Sequence, residues 1–169
     1  MFERVILGVD PGTGRCGMAV VSGTGSRASV QWSTTVRTPS GLATAERLAR
    51  IAGALREAVA VHRPEAVALE RLLWGRNTGS AMEVARASGA VMLTAADAGL
   101  AVAEYAPGEV KMAVTGSGTA SKDQVRRGIA MILRTSDVPV EPDAADAVAV
   151  ALCHLQVSRL RRAVEAPLR

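Results

Sequence analysis

Val5-Ile-Leu-Gly-Val-Asp-Pro-Gly-Thr13 is the stretch that decides how the rest of the chain is read. Residues 5–9 are continuously apolar, too few for a helix and without the alternation of a half-exposed strand, so they read as a strand buried on both faces in mid-sheet. The run delivers one carboxylate, Asp10, to its end and then turns at Pro11-Gly-Thr-Gly14. A second apolar run, Ala66-Val-Ala-Leu-Glu70, also finishes in an acid. Asp143-Ala-Ala-Asp146 places two more on one helical face, since residues three apart are neighbours there. A charge ending a buried strand is costly unless it is paired, and finding it twice points to a shared site. If these acids meet, they make a cation site.

Working outward, Gly17–Val21 reads as a second strand, Ser22–Ser26 as a turn and Ala28–Val36 as a third strand, giving an antiparallel meander. Leu42–His62 is helical, with Leu48, Ile51, Ala52, Leu55 and Val59 on one face and Pro64 closing it. A helical crossover favours a parallel relation, which puts Ala66–Glu70 beside the first strand with Asp10 and Glu70 at adjacent C-terminal ends. A helix rich in small residues follows from about Gly79 to Ala98, ended by Gly99, and Leu100–Tyr105 makes a short fifth strand. Pro107–Val114 supplies one or two helical turns. Ser121 and Gln124 form a capping-box pattern opening a helix to about Arg134, and Pro142 stands at the threshold of a final helix from Asp143 to about Arg159. The expected architecture is α/β: a five-stranded mixed sheet, three strands antiparallel and two further strands parallel, with helices on both faces. One domain is expected over residues 1–160, followed by a basic tail at 161–169 that carries Arg161, Arg162 and Arg169.

The composition, 49% apolar and 21% charged, is that of a soluble protein, with no run long enough to cross a bilayer and no signal-peptide pattern, so a cytoplasmic location is expected. Cys16 and Cys153 lack metal-ligand spacing and read as reduced core thiols. The net charge of +4 suits a polyanionic partner. Of the 20 basic residues only Lys111 and Lys122 are lysine, and both flank the loop Gly116-Ser-Gly-Thr-Ala120. Where arginine is the habit, lysine marks a need for a compact point charge.

Asp143 and Asp146 alone would be accounted for by the dipole of a first helical turn, but the dipole does not reach Asp10 or Glu70. Close carboxylates raise one another's pKa unless a cation restores the ionised form, and an oxygen-only ligand set selects magnesium or manganese. Two such ions, about 3.5–4 Å apart, would clamp the attacking and leaving oxygens in phosphoryl chemistry. Gly12-Thr-Gly-Arg-Cys-Gly17 spells a dinucleotide-binding fingerprint, which is rejected because that motif opens a helix whereas Gly17 begins a strand. These glycines let the turn clear Asp10 or let phosphate approach the backbone. Leu73 and Trp74 serve either as a staple at a helix start or as groups that stack on bases.

In order and spacing, Leu7-Gly-Val-Asp-Pro-Gly12, Leu69-Glu70 with Asn77, Val110-Lys111, Gly116-Ser-Gly-Thr-Ala-Ser-Lys122 and Pro142-Asp-Ala-Ala-Asp-Ala147 resemble the RuvC Holliday-junction resolvases of the RNase H-like superfamily. The resemblance runs from about Val5 to Val157. It implies Asp10, Glu70, Asp143 and Asp146 as metal-binding catalytic acids, with Lys111 and Lys122 near the scissile phosphate. Leu73, Trp74, Arg76, Lys111, Ser117 and Lys122 are the expected DNA contacts. It further implies magnesium or manganese, two ions per site, and a homodimer formed through the helix from about Gly79 to Ala98. That dimer would make paired symmetric nicks in four-way junction DNA, leaving 5′-phosphate and 3′-hydroxyl ends, with the branch-migration proteins RuvA and RuvB as partners. Relatives carry phenylalanine three residues after the acid that matches Glu70, where this chain has Leu73; Trp74 is expected to take part of that role. Two alternatives are a RuvC-like nuclease that processes ribosomal RNA precursors and a non-catalytic junction-binding scaffold.

Overall fold

The computed structural model describes residues 3–24, 27–72, 78–135 and 138–165. Its elements in chain order are β1 (Arg4–Asp10), β2 (Arg15–Thr24), β3 (Arg27–Arg37), α1 (Thr44–His62), β4 (Ala66–Glu70), α2 (Thr78–Asp97), β5 (Ala101–Tyr105), α3 (Pro107–Thr115), α4 (Lys122–Leu133) and α5 (Pro142–Glu165). The sheet order is β3-β2-β1-β4-β5, with β1–β2 and β2–β3 antiparallel and β1–β4 and β4–β5 parallel. The expected mixed sheet is present, and β1 lies at its centre.

Both faces of β1 are buried because each meets its own apolar layer. Ile6 faces the layer built with Val148, Leu152, Val110 and Ile129, from α5, α3 and α4. Leu7 and Val9 face Ile51, Leu55, Val91 and Ala95, from α1 and α2. Alternate residues of one strand thus serve opposite cores, which is why the sequence shows a continuous apolar run.

Several boundaries differ from the sequence expectation, and three of them have a readable cause. Ser22, Gly23 and Thr24, expected in a turn, belong to β2, where Ser22 pairs with both Val5 and Ser29. Ser22 is buried, and the Ser22–Ser29 hydroxyl pair at 3.1 Å satisfies its side chain, so a serine there does not mark a chain reversal. Helix α1 starts at Thr44 rather than Leu42, where Glu46 Oε2 accepts the N–H of Ala43. Helix α5 continues to Glu165, six residues beyond Arg159; the added Leu-Arg-Arg-Ala-Val-Glu is made mostly of good helix formers. The Ser121–Gln124 capping box forms as read, and Cys16 and Cys153 are buried free thiols. Among the described residues no helix is long and apolar enough to cross a membrane.

Candidate functional site

The parallel register of β1 and β4 pairs Val9 with Leu69, which sets Asp10 and Glu70 side by side where both strands end. Gly17 stands opposite Asp10 across the β1–β2 ladder. Over that glycine lies the first turn of α5, so close that a Cβ on Gly17 would sit 1.9 Å from the carbonyl oxygen of Asp143. One turn further along, a Cβ on Gly8 would sit 2.1 Å from the carbonyl oxygen of Ala147. Two glycines therefore let a helix lie directly on the sheet and bring Asp143 and Asp146 to the mouth of β1. For Gly17 this replaces both readings the sequence offered, room for the turn after Asp10 and backbone access for phosphate. Its bare Cα is a seat for α5.

The four acids share one electrostatic field. The Asp10 carboxyl is pushed up to about 8, by burial first and then by Glu70, Asp146 and Asp143. Burial also raises Glu70 and Asp146, while Lys111 and Lys122 pull both the other way. The Asp10 and Glu70 carboxyls are also hydrogen-bonded to each other, so the pair holds a proton in common. Asp143 and Asp146 reach instead to cations, Arg15 Nε at 3.5 Å and Lys122 Nζ at 3.7 Å. Among the described residues no three acidic, histidine or cysteine side chains are gathered around one ion-sized point. The donor set nevertheless fits a hard divalent cation. It offers carboxylate oxygens only, two of them on one buried strand pair that holds a proton for want of compensating positive charge.

Lys111 and Lys122 both lie beside these acids. A cavity of about 230 Å³ has Glu70, Asp146, Lys111 and Lys122 on its polar side and Pro107, Val110, Val125 and Ala149 on its apolar side. A second cavity of about 230 Å³ adjoins it between α4 and α5, sharing Lys122, Val125 and Asp146 and adding Arg126 and Pro142. The Lys122–Asp146 pair separates the two, so the acids open onto a groove rather than a closed pocket.

Ser117, the one other expected residue that is described, does not line these cavities. Leu73, Trp74 and Arg76 lie outside the described residues. Ser117 is exposed in the loop after α3, where its N–H donates to Thr115 Oγ1 at 3.1 Å, and Gly116 takes the left-handed conformation (φ 77°) that ends the helix. Gly116 thus has a capping reason. His154 is buried with Nδ1 2.9 Å from the Tyr105 hydroxyl.

Sequence reasoning passed over Arg15, whose position directly after the turn glycines, at the start of β2, was the available signal. It also passed over Glu83, an acid standing alone in the small-residue half of α2.

Comparison with known proteins decides the family. A family model described as "Crossover junction endodeoxyribonuclease RuvC" matches residues 6–154. The chain belongs to the RuvC family. RuvC of Rhodococcus jostii is 45% identical over 163 residues, covering 94% of this chain and 86% of its own. RuvC of Alkalilimnicola ehrlichii is 46% identical over 162 residues, covering 94% and 97%. T. thermophilus RuvC, solved in complex with a Holliday junction substrate, superposes with a TM-score of 0.89 at 34% identity over 94% of this chain and 96% of that one. The fold is accordingly RNase H-like, and RuvC-family nucleases depend on a metal ion. These matches favour neither the ribosomal RNA nuclease nor the idle scaffold.

Proposed function

We propose that the chain resolves four-way DNA junctions by hydrolysing paired phosphodiesters. The observation that carries the reading is the convergence of Asp10, Glu70, Asp143 and Asp146 beside a groove lined by Lys111 and Lys122. In a chain of this family, these are groups suited to a polyanionic substrate and a divalent cation. Asp10, Glu70, Asp143 and Asp146 would hold the cation, which is magnesium or manganese, with two ions per site. When bound, these ions supply the Lewis acidity that activates water and stabilises the leaving oxygen.

The chain's own residues do the rest. The Asp10–Glu70 pair gives up its common proton to solvent, so both carboxylates enter the reaction ionised. Lys122 exchanges Asp146 for the incoming phosphate, and Lys111 meets the same phosphate from α3 across the cavity. Water attacks phosphorus in line with the 3′ oxygen, the P–O3′ bond breaks, and the products carry 5′-phosphate and 3′-hydroxyl ends.

The substrate's two-fold symmetry suits a homodimer, with α2 as the contact. Met82 and Leu93 are exposed on that helix, at 49% and 65%. Leu73, Trp74, Arg76 and Ser117 would add DNA contacts, RuvA and RuvB would deliver the junction, and the enzyme would work in the cytoplasm as one domain over 1–160 with a basic tail. The test is end analysis of the products. DNA ligase should reseal the nicks without added kinase, and nicks that need phosphorylation or gap filling would overturn the assigned bond cleavage.

A further inference from the structure

The turn that follows Asp10 is clamped from outside by residues the catalytic assignment does not use. Thr13 is buried, and its Oγ1 donates a hydrogen bond to Glu83 Oε2 on α2. Thr38 Oγ1 donates to the Thr13 carbonyl, and the Thr38 N–H donates to the Gly14 carbonyl at 3.0 Å. Arg47 on α1 donates from Nε to Thr38 Oγ1 at 2.9 Å and places Nη1 3.6 Å from Glu83, while Arg86 Nη1 donates to Glu83 Oε1 at 2.9 Å. Glu83 is thus the one carboxylate of this set, held by a hydroxyl and two guanidiniums, and the hydrogen bond from Thr13 heads the influences that keep its pKa below the ordinary range.

We propose that Glu83 is a positioning residue: through Thr13 it fixes the turn behind Asp10 against α1 and α2, and so holds the Asp10 carboxyl in the orientation that receives the divalent ion. This rests on the metal-dependent reading of the acid cluster. The physical basis is that outer partners of metal ligands set ligand orientation, and their loss weakens metal binding or activity by about 10–100-fold. Here the partner acts through a backbone turn of three residues rather than by touching the carboxylate, so the low end of that range is expected.

The experiment uses the full chain and the variants Glu83→Ala, Glu83→Gln, Thr13→Val, Thr13→Ser and the double Glu83→Ala/Thr13→Val. Three quantities are read: amide hydrogen exchange of the segment 8–20 in metal-free protein, Mn2+ affinity by electron paramagnetic resonance, and junction affinity in Ca2+. Glu83→Ala and Thr13→Val should each speed exchange of the segment several-fold and weaken Mn2+ binding about 10-fold, with junction affinity unchanged. The double variant should be no worse than the weaker single, because both break one linkage. Thr13→Ser keeps the hydroxyl and should restore parental values, and Glu83→Gln, which keeps an acceptor, should fall between. Parental exchange and Mn2+ affinity in Glu83→Ala, or fully additive losses in the double, would overturn the proposal. Thr13→Ser provides that decision should Glu83→Ala not fold: a loss there as large as in Thr13→Val excludes the hydroxyl linkage. If the parent binds Mn2+ and the variants respond as stated but the parent cuts no junction, the functional reading falls while the clamp stands.

Discussion

Replacing Gly17 by alanine perturbs the contact at which the first turn of α5 rests on the sheet beside Asp10. The added Cβ would lie 1.9 Å from the Asp143 carbonyl oxygen, and ordinary contact begins at 3.4 Å, so the first turn of α5 must retreat by about 1.5 Å or β2 must yield by as much. Neither partner is the end of a flexible side chain; both are backbone, one in a ladder and one in a helix. Overpacking of this kind costs about 1–3 kcal/mol. For a chain of this size each kcal/mol shifts Tm by roughly 2–4 °C, which predicts a melting temperature lower by ~2–12 °C. The functional loss should exceed what stability alone explains, because a displacement of about 1 Å in a reacting constellation costs on the order of 10²-fold in rate. The assay pairs thermal melting with single-turnover junction cleavage at a temperature where the variant is fully folded. Gly53→Ala is the control of opposite sign, since on α1 it meets nothing within 4 Å and replaces glycine in a helix interior, which should stabilise by about 0.5–1 kcal/mol. A Gly17→Ala protein with parental Tm and parental rate would refute the claim that the bare Cα seats α5. One that is less stable but cuts at the parental rate would show that the seat does not set the acids.

Two further outcomes follow from the electrostatics. Because the Asp10 carboxyl stands at about 8 in the fold against 3.8 ordinarily, the folded state holds a proton that the unfolded chain gives up, and stability falls as pH rises between those values. Glu70 and Asp146 are raised as well and add in the same direction. Metal-free protein should therefore melt lower at pH 8 than at pH 5, magnesium should remove most of the difference, and Asp10→Asn should flatten the metal-free profile; a rising profile would contradict the shared-proton account. Lys122→Ala should slow cleavage by about 10²-fold or more if its ammonium meets phosphate in the transition state. It should weaken junction binding only modestly and lower the salt slope by about 1. A parental cleavage rate for Lys122→Ala would return Lys122 to a solvated surface charge.

Much of this arrangement was legible in the chain because it is local. A run such as Val5–Val9 can only be a two-sided strand, Ser121 and Gln124 cap whatever follows them, and acids ending two buried strands advertise a shared site. Relations between distant segments were legible only where a connection rule applies, as with the parallel placement of Ala66–Glu70 beside β1. The seat that Gly17 makes for Asp143 is a contact across more than a hundred residues, and nothing in Gly12–Gly17 distinguishes a glycine needed for a turn from one needed for a helix overhead. Ser22 was misplaced for a similar reason, since its polar character signals a turn until Ser29 is known to lie opposite it. Glu83 was passed over because its distant partners Thr13 and Arg47 are brought to it by the turn after β1 and by α1.

That Asp10, Glu70, Asp143 and Asp146 form a metal-dependent cutting site for four-way junctions, as proposed, can be tested directly. The most direct measurement incubates the protein with immobile and mobile four-way junctions, linear duplex and structured RNA, with and without magnesium, beside the Asp10→Asn variant. Paired nicks in the junctions alone, dependent on magnesium and lost in Asp10→Asn while junction binding persists, are predicted. No cleavage of any junction, or equal cleavage by Asp10→Asn, would contradict the claim.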